Sequence, residues 1–187
     1  MIDDSWIWKN ELKKELDEFY RFSENKTTSV SDDYFMLRCE KFFFISAFII
    51  RKLNEANKLS DELNSKDFNC IKYQRIKQDN LIDYLNRHHF VKFYNLEKEE
   101  KSSVKLKDFC NYLIHSFVFN PVMEDNYKLC GFFINSDKIK DKFLYYIEYN
   151  SFIELINDVI NDDITDLSYN RVTGELRKSN RQLKNPP

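Results

Sequence analysis

Lys107, Asn111 and His115 recur at steps of four, with Asp108 three residues before Asn111 and Ser116 beside the histidine. On a helix this spacing places an amine, an amide and an imidazole in one polar stripe next to an apolar one. An imidazole is the side chain suited to taking or giving a proton near neutral pH, and a neighbouring amide or hydroxyl can orient the His115 ring or its substrate. Acid–base chemistry is therefore open to His115, with Asn111 as its companion. The competing reading is a histidine hydrogen-bonded within the packed elements, in which case the stripe is structural. His88 and His89 follow Arg87 directly, and neighbours on a regular element diverge, so they read as surface or strand-end residues rather than joint metal ligands.

Other chemistries lack their residues. With 2 Gly in 187 residues, a loop that cradles phosphate through bare backbone is nearly excluded, and neither a Gly-x-Ser-x-Gly elbow nor a His-Glu-x-x-His helix is present. Cys39, Cys70, Cys110 and Cys130 are widely spaced without a Cys-x-x-Cys pair, which predicts reduced thiols, no metal and no cofactor. A formal net charge of −2 argues against a general nucleic-acid sponge and leaves room only for a local basic patch. No apolar run of spanning length occurs and the N-terminus has no basic region followed by an apolar stretch, so no membrane is expected and the cytoplasm is the expected compartment.

The elements that must position these residues read mainly as helices. Asp4 or Ser5 can cap a helix to about residue 21, with Trp8, Leu12, Leu16, Phe19 and Tyr20 in a stripe. Residues 23–31 read as a loop. From Ser31 or Asp32 a long helix is predicted to about residue 58, because Phe35, Cys39, Phe42, Ser46, Ile49, Leu53 and Ala56 recur at alternating steps of four and three. Residues 69–75 and 90–96 could be short strands around a helical turn at 79–87. A charged loop is expected at 97–101, then a helix capped by Ser102 or Ser103 that carries Leu106, Phe109, Cys110, Leu113, Ile114 and Phe117 inward and ends at Pro121. Residues 129–135 and 143–149 read as a hairpin, and Ser151 as the cap of a short acidic helix with Phe152, Leu155, Ile156 and Val159.

The expected fold is thus mainly α: one domain over 1–166, a helical bundle around the long helix with a small hairpin near 129–149. With 17 Phe and 11 Tyr its core must be filled by rings. After Asp166 periodicity is lost, and Arg171, Arg177, Lys178, Arg181 and Lys184 make 167–187 a basic tail expected to be mobile.

The stretch Cys110-Asn111-Tyr112-Leu113-Ile114-His115 resembles the Arg-Asn-x-x-x-His motif of the HEPN domains, helical bundles of prokaryotic antiviral defence and toxin systems. The resemblance covers the long helix and the Asn111–His115 segment, and it implies metal-independent RNA cleavage assembled across a homodimer, with His115 as acid or base. Cys110 stands where the family has arginine, and a thiol supplies neither the charge nor the bidentate geometry of a guanidinium toward phosphate. Arg38, Arg51, Lys107 and Ser116 are the residues that would have to hold the substrate instead. Two functions remain open: an RNA-cleaving or RNA-binding protein, and a non-catalytic interaction module that dimerises or docks on a larger protein.

Overall fold

The computed structural model describes residues 3–24, 31–76, 81–124 and 128–180. Two helices follow the predicted periodicity closely: α1 over Ser5–Glu24 and α2 over Asp32–Glu55. Asp4 accepts from the Trp6 N–H at 2.8 Å, and Ser31 caps α2 by accepting from the Tyr34 N–H at 3.3 Å. Asp32 and Asp33 in the first turn of α2 suit the positive end of its dipole. The chain turns off α2 at Ala56, where Asn57 adopts a left-handed φ of 57° that asparagine tolerates better than most residues. Phe35, Phe42, Phe43, Ile49, Ile50 and Leu53 are buried along its inner face.

The rest of the chain is not the expected helical bundle. β1 (Asp67–Gln74), β2 (Glu100–Lys105), β3 (Ser116–Met123), β4 (Leu129–Ser136) and β5 (Phe143–Glu148) form one antiparallel sheet in the order β2-β1-β5-β4-β3, so the fold is α+β. The predicted hairpin is the β4–β5 pair, with Phe133 opposite Tyr146, but it lies inside a larger sheet because β5 also pairs with β1. Gly131 of β4 has a steric reason to be glycine. A Cβ there would stand 2.3 Å from the Ile147 carbonyl oxygen and 2.6 Å from the Tyr146 hydroxyl.

The long helix expected from residue 102 to Pro121 divides into β2, α4 (Leu106–Ile114) and β3. Strand pairing wins at its two ends: Val104 faces Phe68 across the ladder, and β-branched and aromatic Phe117, Val118 and Phe119 suit the pleated surface of β3 against β4. Pro121 does not end a helix; it sits in edge strand β3, where a missing N–H is tolerated. The charged loop expected at 97–101 is present over residues 97–99, but Glu100 and Lys101 already belong to edge strand β2, where Glu100 pairs with Lys72 across the strands at 3.1 Å. Residues 90–96 are not a strand: Arg87–Phe93 is a 3-10 segment, and Tyr94 alone bridges to Arg75. α5 (Tyr149–Asn161) leaves β5 directly at Glu148, so Ser151 lies inside its first turn rather than at its cap.

Both faces of the sheet are covered. α1, α2, α4 and α5 pack on the side of Phe132, Ile134, Tyr145 and Ile147, whereas Ile82, Phe90, Phe93 and Tyr94 cover Tyr73, Phe133 and Leu144 on the other. Buried Asn135 fastens the second layer by donating to the Tyr94 hydroxyl at 2.8 Å and accepting from the Val118 N–H at 3.1 Å. Among the described residues no helix is long and apolar enough to cross a membrane.

Residues 166–180, the first part of the segment expected as a basic tail, form a hairpin of β6 (Asp166–Tyr169) and β7 (Leu176–Ser179), with Gly174 at φ 72° in its turn. It is bonded to α3 (Asp61–Ser65): the Lys178 N–H donates to Asp61 at 2.8 Å, and the Asn180 N–H to Glu62 at 3.1 Å. Asn180 is 1% exposed and also donates to Asp162. Asn180→Ala is accordingly expected to cost about 1.5–3 kcal/mol, since its buried side-chain hydrogen bond runs to a charged group. A denaturation midpoint equal to that of the unmodified chain would show that the hairpin is an ornament. Residues 181–187, with Arg181 and Lys184, lie outside the described residues.

Candidate functional site

α4 leaves β2 without a side-chain cap and runs nine residues, burying Leu106, Phe109, Cys110 and Leu113 against α2 and the sheet. Lys107 and Asp108 are exposed and Asn111 is half-buried on the opposite side. The helix ends one residue before the histidine. His115 takes φ −111°, ψ 35°, and its N–H donates to the Asn111 carbonyl at 3.0 Å, so Asn111 and His115 are joined by the last helical bond rather than by a continuing stripe. The His115 side chain is exposed.

Arg51 reaches it from the last turns of α2, with Nη1 3.5 Å from His115 Nε2. The same guanidinium donates through Nε to Glu55 at 2.8 Å, and Lys52 donates to the other Glu55 oxygen at 2.9 Å. Hydrogen bonds from Lys52 and then Arg51 hold the Glu55 carboxyl far below the ordinary carboxylate range, at about 2. An acid depressed by folding contributes its stabilisation above the ordinary range, and that contribution is lost as pH falls toward about 2. In an NMR titration Lys52→Ala is expected to raise the Glu55 midpoint more than Arg51→Ala does. A Glu55 midpoint unmoved by either change would dissolve the cluster.

Structure and sequence agree only in part on the candidate residues. Arg51, His115 and Asn111 are brought together. Arg38 is not: it stands thirteen residues before Arg51, roughly 20 Å along α2, with its guanidinium 5.2 Å from the Phe22 ring centroid. Lys107 lies eight residues before His115, at the other end of α4. Ser116 opens β3 and lines a separate groove of about 400 Å³ with Glu40, Phe44, Arg87, His88 and Phe119. Sequence reasoning offers no signal for that groove, since it joins three distant segments. The His88 and His89 rings do not diverge; their centroids are 3.9 Å apart because a kinked 3-10 segment, with His89 at φ −98° and ψ 26°, replaces the regular element assumed. The neighbouring His88 charge lowers the pKa of exposed His89.

Cys110, in the place of the motif arginine, is fully buried among the core residues, and burial pushes its thiol up to about 12. A side chain closed off from solvent in this way cannot touch a ligand held at exposed His115. All four cysteines are free thiols, and among the described residues no three His, Cys, Asp or Glu side chains gather as a metal ion would require.

A second feature adjoins this cluster. The outward face of α2 exposes Tyr34 (48%), Leu37 (56%), Ile45 (36%) and Phe48 (45%), with Phe44 half-buried between them. Phe48 stands one turn before the basic pair, its ring centroid 5.8 Å from the Lys52 ammonium. α2 is therefore apolar on two sides, of which the fold covers one.

No family model, curated protein or solved structure matches this chain.

Proposed function

We propose that this chain is an interaction module that docks through the outward face of α2. The observation that carries the reading is the row Tyr34, Leu37, Phe44, Ile45 and Phe48, five large apolar side chains on one helix face, four of them exposed and Phe44 half-buried. Scattered exposed apolar residues need no explanation, but several gathered on one helix face, here interrupted by Lys41, are the usual mark of a partner surface. An amphipathic helix seats such a row in a groove or against another helix.

The test is site-specific photo-crosslinking in cells that make the protein, with p-benzoylphenylalanine in place of Phe48 or, as a control, in place of 95% exposed Val172. An adduct formed at 48 and not at 172 is expected. Equal labelling at both positions would refute docking at α2.

The Arg51–His115 contact favours a second reading, in which the pair holds a phosphate of RNA and His115 acts as acid or base without a metal. Arg51 would then supply the positive charge that Cys110 lacks. His115→Ala should abolish RNA cleavage by the purified protein while leaving its melting temperature within a few degrees, and cleavage should persist in EDTA. RNA left intact by the wild type, or cleaved at full rate by His115→Ala, would eliminate this reading.

A further inference from the structure

We infer that the occupant of the α2 face is a second copy of this chain, its α2 packed antiparallel to the first; the inference rests on the docking reading above. Tyr34, Leu37, Lys41, Phe44, Phe48 and Arg51 follow one another at steps of three and four, the spacing of a helix–helix seam. The row spans about five turns, roughly 26 Å, long enough for two copies to overlap along its length.

Charge chooses both the partner and its direction. Asp32 and Asp33 lie in the first turn of α2, Arg51 and Lys52 near its end. An antiparallel pair crossing between Lys41 and Ile45 sets Leu37 of one copy against Ile45 and Phe48 of the other. It also brings Tyr34 and Asp33 to the Lys52 end. The helix dipoles oppose, and at each end Asp33 meets Arg51 and Lys52, two cations that share the single carboxylate of Glu55 and so keep a net positive charge. A parallel pair would set Asp33 against Asp33 and Lys52 against Lys52, with the dipoles aligned. Lys41, near the crossing, does not oppose the contact with a bare charge: it lies 3.5 Å from Glu15 and 3.7 Å from Glu18 of its own α1. Its stem can then cover apolar surface.

The identity of the partner and the direction of packing can both be tested on the whole chain. Light scattering should give twice the chain mass at tens of micromolar, and Leu37→Asp with Phe48→Asp should raise the dissociation constant on the order of a hundredfold. Substitutions at such exposed positions leave the fold standing, which an unchanged melting curve would verify. In a Cys130→Ser background, mixing Leu37→Cys protein with Phe48→Cys protein under mild oxidant should yield mainly the mixed disulfide. Mainly like-with-like disulfides would overturn the antiparallel arrangement. A monomer at all concentrations, together with a position-48 photo-adduct to a different polypeptide, would overturn the second copy while sparing docking; absence of any position-specific adduct would remove both.

Discussion

Phe43→Ala is expected to cost about 3–5 kcal/mol, the range for truncating a fully buried ring. Phe43 is fully buried, and its ring centroid lies 4.4 Å from Phe132, 4.8 Å from Phe152, 5.1 Å from Phe42, 5.6 Å from Phe119 and 6.1 Å from Phe19. Those five rings come from α1, α2, β3, β4 and α5, so one side chain joins helices to sheet. The cavity cannot collapse easily, because each neighbour is fixed by its own element. Each tilted or edge-on pair adds to the area term. Phe42, stacked on Phe19 at 4.2 Å and 7°, should cost a similar amount. Five residues after Phe43, Phe48→Ala on the outer face should change stability by no more than about 0.5 kcal/mol. Denaturant midpoints for the two alanine variants provide the check, and equal losses would mean that the two sides of α2 have been misassigned.

Asp162→Ala should cost about 3–5 kcal/mol, since it breaks a buried charged network from one side. Asp162 is 1% exposed and accepts from the Ser60 N–H at 2.7 Å and from Asn180 at 3.0 Å, while its backbone carbonyl accepts from the Lys9 ammonium. Removing the carboxylate strands two buried donors. It also strips Lys9 of attraction. Burial already lowers the Lys9 pKa and Asp162 works against that shift, so the variant should lower it further. Lys9→Met placed in the Asp162→Ala protein should recover part of the loss, and the double-mutant cycle measures how much. Thermal unfolding unaffected by Asp162→Ala would show that the network is dispensable to the joining of α1, α3, α5 and the C-terminal hairpin.

Periodicity made several pieces legible from the residues alone. The stripe Leu12, Leu16, Phe19 defines α1, the recurrence from Phe35 to Leu53 defines the inner face of α2, and the two apolar runs 129–135 and 143–149 mark β4 and β5. Each is a local pattern whose period survives folding, because neighbours along the chain settle it. α5 was equally plain from Phe152, Leu155, Ile156 and Val159, though its start came two residues before the serine expected to cap it.

Tertiary structure decided everything that depends on partners far along the chain. Val104 and Phe117 fit a helical stripe as well as they fit strands, and only pairing with Phe68 and β4 resolves the ambiguity; a ladder bond to a distant strand outweighs a weak helix propensity. Aperiodic residues 166–180 gained a hairpin from hydrogen bonds to Asp61, Glu62 and Asp162, which no local pattern announces. Arg51 meets His115 across 64 residues, whereas Arg38, equally basic and on the same helix, does not. The residues marked the inner side of α2 alone; that Tyr34, Leu37, Ile45 and Phe48 stand exposed on its other side follows from where α1, α4 and the sheet pack, a choice made by the whole fold rather than by the helix.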